Sequence, residues 1–563
     1  MKKIVDIFLR GYNISKDNMF SRIKRGDTFQ VFTYSKALEM IKSIGGYLKS
    51  RGFRKGDRAA ILGENMPEWG ISYLGIQWAG GVCVPLDARA SQSDWEHFLR
   101  HSESKFIFVS KKFVDDILEI RDKVESLVEI ISFPESDGKV SSFSDVVLFK
   151  DKLEVPVDRD PNDLAIILYT SGTTGTPKGI MLSHKNVILN IEAVLKIFDF
   201  NETDHLFSVL PLHHVFEGTC GFLAPLYVGA KITYARSLKP SEILEDLRET
   251  EPTVFLTVPL LLEKLYLGIM KNIKNLSLPK KGLFKVMSSL SHLLDPITGR
   301  KASRVLFKTV REKMGFKRIK YIISGGAALP TWVGVGFLRL GFPIYQGYGL
   351  SETSPVVSVN PPKGKNKINS VGPPIPGVEV KIMEPDENGI GEIAVKGDIV
   401  MLGYYKDKKA TERVFREGWF LTGDLGYIDK DGYIYITGRK KSVIVTKGGK
   451  NIYPEEIEEK LLESSIIKEC LVLAKIHPKT KTEILHAIIY PDYEEIDNRA
   501  KQMNVDVTED LINDWVSKEI EEVNKKLAEY KKVKSFSLRD EEFPKTTTQK
   551  IKRYLFEEGG VEI

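Results

Sequence analysis

Residues Tyr169-Thr-Ser-Gly-Thr-Thr-Gly-Thr-Pro-Lys-Gly179 follow directly on the apolar run Leu164 to Leu168. The run reads as a buried strand and the stretch behind it as a polyphosphate loop. Between Thr170 and Lys178 stand the hydroxyls of Ser171, Thr173, Thr174 and Thr176 with Gly172, Gly175 and Pro177. Glycines let backbone N–H groups turn toward an anion, hydroxyls add donors, and Lys178 supplies a mobile charge. The loop is not a Walker A motif: Gly179 follows Lys178, so no hydroxyl stands there for Mg²⁺.

Working outward, the chain has 563 residues, more than one hydrophobic core holds, so two or more domains are expected. Its 42% hydrophobic and 28% charged residues are those of a soluble globular protein. Cys83, Cys220 and Cys470 are too few and scattered for a disulfide framework or a zinc site, and they fit a reducing cytoplasm. Asp6 and Arg10 interrupt the first apolar residues before signal-peptide length. The most apolar window, Leu206 to Ala230, carries His213, His214, Glu217 and two prolines, which favours burial in protein over a membrane span.

Charge is unevenly spread. From Lys271 to Lys320, 14 Lys and Arg face only Asp295 and Glu312, a local +12 that leaves the rest of a +6 chain at −6. No aromatic residues interleave as in single-stranded nucleic-acid binders, so a nucleic-acid partner is not expected. Leu283, Val286, Met287, Leu290, Leu293 and Leu294 recur at helical spacing, and a second helix is expected from Ala302 to Met314. Such a stripe is expected to face a core, leaving the lysines as a solvated face. The other reading is an anion-facing surface for CoA phosphates, an acidic carrier protein or anionic lipid at the inner face of a membrane.

Strands and helices interleave from the start. A helix capped at Ser35 carries Leu38, Ile41, Ile44 and Leu48; strands follow at Arg58 to Leu62, Gly81 to Pro85 and Lys105 to Val109. No Gly-x-Gly-x-x-Gly follows the first strand, which argues against a dinucleotide fold. Past the loop, Ser183 to Phe198 reads as a helix, and Leu210-Pro-Leu-His-His-Val-Phe-Glu217 sets two histidines among apolar residues, either core histidines or part of a site. The strands Tyr321 to Ser324 and Pro343 to Gln346 each run into glycines, Gly325-Gly-Ala327 and Gly347-Tyr-Gly349. Short β patterns over residues 371–436 indicate a small barrel-like lobe, and a mixed region begins at 438.

Taken in order, these pieces resemble the adenylate-forming superfamily of acyl-CoA synthetases, luciferases and peptide-synthetase adenylation domains. The resemblance rests on Thr170 to Gly179, Pro211 to Glu217, Tyr348-Gly-Leu-Ser-Glu-Thr353, Trp419-Phe-Leu-Thr-Gly-Asp424, Gly438-Arg-Lys-Lys441, Gly448 to Glu458 and Pro544-Lys-Thr-Thr-Thr-Gln-Lys550. It spans nearly the whole chain. His213 to Glu217, Ser351 to Pro355 and the basic insertion are most similar to bacterial long-chain fatty acyl-CoA synthetases.

The resemblance implies an N-terminal AMP-binding domain over 1–437, built of stacked doubly wound sheets with the lobe at 371–436, and a mobile α+β domain over 438–563. It implies ATP, Mg²⁺ and coenzyme A, with a fatty acid converted to acyl-AMP and then to acyl-CoA. Thr170, Ser171, Gly172, Thr173, Thr174 and Gly175 with Lys178 are expected to hold the departing pyrophosphate. Glu352 is expected to ligate Mg²⁺ and Ser351 to donate to the α-phosphate. Gly325, Gly326, Ala327 and Tyr348, with Gln346, Gly347 and Gly349, would line the adenine slot. Asp424 and Arg439 would take the ribose, and His213, His214, Val215 and Phe216 the acyl chain. Lys550 matches the catalytic lysine that bridges carboxylate and α-phosphate. Lys441 falls at the hinge and Gly448-Gly449 at the thiol tunnel. One position departs: Gln549 precedes Lys550 where the family usually has Gly, which fits a loop that needs no positive φ there. The residues leave acyl-carrier protein open as the acceptor and other carboxylates open as the acid. A non-catalytic fatty-acid or nucleotide binder would show degraded motifs, whereas Lys178, Glu352, Asp424, Arg439 and Lys550 are all present.

Overall fold

The computed structural model describes residues 1–170, 177–298, 301–445, 451–476, 483–545 and 551–557. The chain forms two compact units, one of Met1–Val380 with Val395–Phe420, the other of Lys381–Ala394 with Leu421–Ile563. The fold is α/β: mixed sheets and helices in the first unit, with a smaller α+β unit after it.

In the first unit the strands are β1 (Met19–Arg25), β2 (Thr28–Thr33), β3 (Arg58–Leu62), β4 (Val82–Leu86), β5 (Ser104–Ser110), β6 (Glu129–Phe133), β7 (Ser141–Ser142), β8 (Leu164–Thr170), β9 (Lys178–Ser183), β10 (His205–Ser208), β11 (Lys231–Tyr234), β12 (Val254–Thr257), β13 (Tyr321–Ser324), β14 (Ile344–Gly349) and β15 (Val356–Val359). One sheet runs β9-β8-β4-β3-β5-β6-β7, extended beyond β9 by the short strand Gly403–Tyr404. The other runs β15-β14-β13-β12-β10-β11-β1-β2. The central strands of both are parallel and closely apolar, as strands covered on both faces must be. The helix Pro67–Trp78 starts on a proline, is buried along its whole length and touches strands of both sheets. That is the position of a helix with no polar face. Small residues permit it: a Cβ at Gly75 would lie 2.4 Å from Ile44 Cγ2 and one at Gly70 2.7 Å from the Phe222 ring.

The second unit holds the sheet Ile467–Ile476, Glu483–Pro491, Val533–Leu538 with the helices Pro454–Leu461, Tyr493–Met503 and Glu509–Lys525. Ile457, Leu461, Val472, Ala487, Trp515 and Val516 form its core. The lobe expected at 371–436 is a five-stranded sheet, ordered Glu379–Met383, Gly391–Lys396, Trp419–Ile428, Phe415–Arg416, with Ile434–Arg439 paired to Trp419–Ile428.

Four expectations are corrected. The cap of the helix Tyr34–Ser50 is Thr33, whose side chain accepts from the Lys36 N–H at 3.2 Å; Ser35 is inside the helix and donates to the Lys16 carbonyl. The second basic helix is two, Lys301–Leu306 and Lys308–Lys313, broken at Phe307, whose φ of −102° and ψ of 20° leave helical geometry. The strand expected to stop at Gln346 continues through residues 347–349 of β14 because β15 pairs with them, Gly347 with Val359 and Tyr348 with Ser358. Finally, the stripe on the helix Leu278–Thr298 does not face a core: Leu283, Val286, Leu290 and Leu293 are exposed.

Candidate active site

The strands on either side of the glycine-rich stretch pair with each other. β8 and β9 pair antiparallel, Tyr169 with Gly179 and Thr170 with Lys178, so both ends of the loop are set by one ladder. Ser171, Gly172, Thr173, Thr174 and Gly175 lie outside the described residues. The loop's first residue is clamped: the Tyr169 ring stacks on Phe98, centroids 4.4 Å apart, and its hydroxyl meets His101 Nδ1 at 2.8 Å. Burial raises the Tyr169 phenol well above its ordinary range and lowers the His101 ring, so both stay neutral at pH 7.

At the other end, β9 pairs with Gly403–Tyr404, which sets Tyr404 opposite Ile180. The Lys178 ammonium then stands 4.9 Å above the centre of the Tyr404 ring, a cation–π contact. The Tyr404 hydroxyl donates to Glu352 Oε1 at 3.0 Å, and the Met401 N–H donates to the Glu352 carbonyl at 2.8 Å. Lys178, Tyr404 and Glu352 thus form one constellation from three stretches of chain. Burial, then the charge of Glu352, holds the Tyr404 proton in place, so the phenol remains a donor. Glu352 lies in the 3₁₀ turn Ser351–Thr353, which Asn190 fixes by donating to the carbonyls of Thr353 at 3.2 Å and Val356 at 2.9 Å. A carboxylate has two oxygens and about four lone-pair sites, so a bond from Tyr404 is compatible with a hard cation held mainly by phosphate oxygens and water.

The second sheet supplies a row of strand ends. Ser208, Thr257, Ser324 and Gln346 stand at or near the C-terminal ends of β10, β12, β13 and β14, with Thr257 opposite Ser324 and Ser324 opposite Gln346. Ser324 Oγ and Gln346 Oε1 are buried with no hydrogen-bond partner among the described residues. Buried polar atoms are almost always paired, so orphans here mark where a ligand's polar edge would sit. Past β13, Gly325 is buried while Gly326, at φ +84°, and Ala327 are exposed. At Gly349, a Cβ would meet the Pro355 carbonyl oxygen at 2.0 Å, so no side chain fits.

The histidine segment reaches the same edge: a Cβ at Gly325 would be 3.2 Å from the Phe216 ring, so Phe216 rests on the first of these glycines. His213 Nε2 stands 3.4 Å from Asp87 Oδ1, with burial depressing the imidazole pKa against the pull of that carboxylate. Val215 is buried; His214 is half-buried. Asn65, which sequence reasoning missed, staples the segment: it donates to Ser208 Oγ at 3.2 Å and to the Leu210 carbonyl at 2.5 Å, and accepts from the Leu212 N–H at 2.9 Å.

Glu217 was also missed as an individual residue, although it closes the motif. It sits in a π-helical turn, Phe216–Leu223, fully buried, and neither carboxyl oxygen has a well-formed hydrogen bond among the described residues. Burial raises its pKa to about 8, opposed only in part by the nearby Ser208 hydroxyl, so it is protonated at neutral pH.

In the second unit, Asp424 and Arg439 face each other across a strand pair, with Arg439 Nε donating to the buried Asp424 Oδ1 at 2.6 Å. Lys441 is exposed in the turn Lys440–Ser442. Gly448, Gly449, Gln549 and Lys550 lie outside the described residues. Residues on both sides of Lys550 are anchored: Lys545 pairs with Glu469 and bridges to Ile551, and Arg553 binds Glu458 Oε1 at 2.7 Å.

These features define a nucleotide-binding α/β enzyme. Residues 17–405 match the family described as AMP-binding enzyme, and residues 456–550 match the AMP-binding enzyme C-terminal domain. The chain belongs to the AMP-binding enzyme family. It is 29% identical over 568 residues to a long-chain-fatty-acid–CoA ligase of Bacillus subtilis (strain 168), covering 93% of this chain and 90% of that one. It is 30% identical over 570 residues to a chloroplastic long-chain-fatty-acid–[acyl-carrier-protein] ligase, AEE15, of Arabidopsis thaliana, covering 87% and 75%. The ATP-bound crystal structure of MatB from Rhodopseudomonas palustris superposes with a TM-score of 0.78 at 26% identity over 99% of each chain. Within the family the chain is an AMP-forming ligase of the acyl-activating kind.

The isolation of Glu217 predicts a pH dependence. Its proton is lost from the unfolded chain near the ordinary carboxyl value but kept in the folded one up to about 8. Between those values the unfolded state binds fewer protons, so stability falls as pH rises, and above about 8 the full cost applies. Glu217→Gln removes this contribution: relative to the parent it should gain on the order of 1–3 kcal/mol between pH 5 and pH 8.5 in denaturant unfolding. An unchanged slope of stability against pH would refute the assignment.

Proposed function

We propose that the protein activates a long-chain fatty acid with ATP and transfers the acyl group to coenzyme A. In the first half the carboxylate oxygen forms a bond to the α-phosphorus as the bond to the bridging oxygen breaks, releasing pyrophosphate. In the second a thiolate sulfur attacks the acyl carbon and AMP leaves. Neither half requires a covalent enzyme nucleophile, so positioning and charge cancellation carry the catalysis.

The observation that carries this reading is the joining of Lys178 to Glu352 through Tyr404. A cation and a hydrogen-bonded carboxylate meet on one tyrosine beside the strand that follows the hydroxyl-rich stretch, which suits a triphosphate chain. We assign Thr170 to Gly175 and Lys178 to the β- and γ-phosphates, and Ser351 to the α-phosphate. Glu352 would hold Mg²⁺, which when bound supplies charge neutralisation at the phosphate oxygens. The orphan Ser324 and Gln346 beside Gly325, Gly326, Ala327 and Tyr348 suit an adenine edge and face. Asp424 and Arg439 are assigned the ribose, and Lys550 the charge that builds as two anions meet. Lys441 is assigned the hinge, and Gly448 with Gly449 the passage of the thiol arm.

His213, His214, Val215 and Phe216 are assigned the acyl pocket, because Asn65 holds their segment against the strand ends and Phe216 rests on Gly325. Long chain length and coenzyme A are supported by the name of the Bacillus relative, while the name of the Arabidopsis relative favours acyl-carrier protein as the second acceptor to assay.

An ATP–pyrophosphate exchange screen across fatty, aryl and amino acids tests the reading: long-chain fatty acids should stimulate exchange most, and no stimulation by any carboxylate would refute it. Thioester assays with coenzyme A and with acyl-carrier protein then identify the acceptor. Lys550→Ala should slow acyl-AMP formation by at least roughly 10²-fold while turnover of pre-made acyl-AMP by the thiol survives. Equal loss of both halves would contradict this division. Tyr404→Phe keeps the ring under Lys178 but removes the bond to Glu352. It should raise the Mg²⁺ concentration for half-maximal exchange by roughly 3- to 10-fold, the net worth of one ordinary hydrogen bond, without shifting the unfolding midpoint much. An unchanged Mg²⁺ requirement would show that Tyr404 does not position Glu352.

A further inference from the structure

The helix Leu278–Thr298 has two apolar sides. Its inner side belongs to the fold: Phe284 packs against Phe307 with ring centroids 5.4 Å apart, and Ser291 is buried. Its outer side carries Leu283, Val286, Leu290, Leu293 and Ile297, between 42% and 82% exposed. Their spacing of three and four residues places them on one line, a stripe about 21 Å long at 1.5 Å per residue. Val305, 74% exposed on the helix Lys301–Leu306, adds to it in sequence. Single exposed aliphatic residues are ordinary, whereas a continuous row of them on a soluble protein marks a contact surface.

The charge around the stripe narrows what covers it. Lys280 and Lys285 are exposed on the same helix, and the segment 271–320 has the net charge of +12 counted above. A second copy docking the same face would set one such charge against another, which opposes a two-fold pair. Nucleic acid would match the lysines but leave the aliphatic row wet. A surface both apolar and anionic satisfies both halves at once. The stripe is flat along one helix, and among the described residues no helix is long and apolar enough to cross a membrane. A helix of this kind lies in the plane of the headgroups, aliphatic side down and lysines toward phosphates.

We propose that the outer face of the helix Leu278–Thr298 is a docking surface for anionic lipid bilayers. This stands apart from the reaction assigned above: the stripe and its charge hold whatever acid the enzyme activates.

Sedimentation of the full chain with vesicles of phosphatidylcholine, with and without phosphatidylglycerol, tests it. Partition onto the anionic vesicles should exceed that onto pure phosphatidylcholine by about tenfold at low salt and fall as salt is added. Val286→Glu/Leu293→Glu should reduce it by at least about tenfold, because acids would enter the headgroup layer where aliphatic groups were. Lys280→Glu/Lys285→Glu should reduce it and flatten the salt dependence, while Leu148→Glu, at an exposed position elsewhere, should leave it unchanged. All four helix positions are solvent-facing, so thermal unfolding and ATP–pyrophosphate exchange should not change. Equal sedimentation with both vesicle types would overturn the proposal, as would retained binding by both helix variants. So would a wild-type dimer that Val286→Glu/Leu293→Glu dissolves without altering vesicle binding, which would assign the face to a second copy.

Discussion

The hydrogen bond from Tyr404 to Glu352 depends on a strand only two residues long, and the constellation of Lys178, Tyr404 and Glu352 depends on that bond. Gly403–Tyr404 adds to the edge of the first sheet beside Lys178–Ser183. The same pairing sets the aromatic ring beneath Lys178 and aims its hydroxyl at the turn that carries Glu352. Sheet edges are normally liabilities, with unpaired donors and acceptors open to the wrong partner. Here a later part of the chain covers the edge and in doing so brings a cation and a carboxylate to the two sides of one ring. Met401 N–H to the Glu352 carbonyl and Ser354 Oγ to the Ile399 carbonyl tie the turn to the same later segment.

The rest of the first unit holds its polar groups where they cost stability. Ser324 at the end of β13 and Gln346 beside it on β14 carry buried oxygens, and Glu217 a buried carboxyl, with no hydrogen-bond partner among the described residues. Each would be avoided in a domain built for stability alone. The first two sit beside the glycines at the strand ends, where a ligand would complete their bonding. Glu217 lies deeper, under the histidine segment, and remains a neutral acid at pH 7. Asn65 does the opposite work, using its whole amide to hold Ser208, Leu210 and Leu212.

Much of this was legible in the residues. Apolar runs located β3, β4, β8, β13 and β14, because strands covered on both faces leave a continuous hydrophobic signal, and alternation at Lys105 to Val109 located β5. The motif order named the family. Less was legible where one local signal had two structural outcomes. Thr33 and Ser35 are both capping residues, and only the path of the preceding strand β2 decides that Thr33 takes the role. Gly347 and Gly349 put the expected end of the strand at Gln346, yet β15 pairs alongside and extends it. Asn65 and Tyr404 carried no local signal, since one is an ordinary polar residue and the other one of two adjacent tyrosines.

By itself, the sequence determined the class of fold and the family, because those follow from local spacing and motif order. Tertiary structure alone decided three things. It chose Tyr404 as the link between Lys178 and Glu352, since pairing of a two-residue strand is a long-range matter of register. It left Glu217 buried with no hydrogen-bond partner among the described residues, since burial and bonding depend on neighbours distant in sequence, such as Ser208 of β10. And it turned Leu283, Val286, Leu290 and Leu293 outward. Helical periodicity states which side chains share a face; only packing against the other elements states which way that face looks.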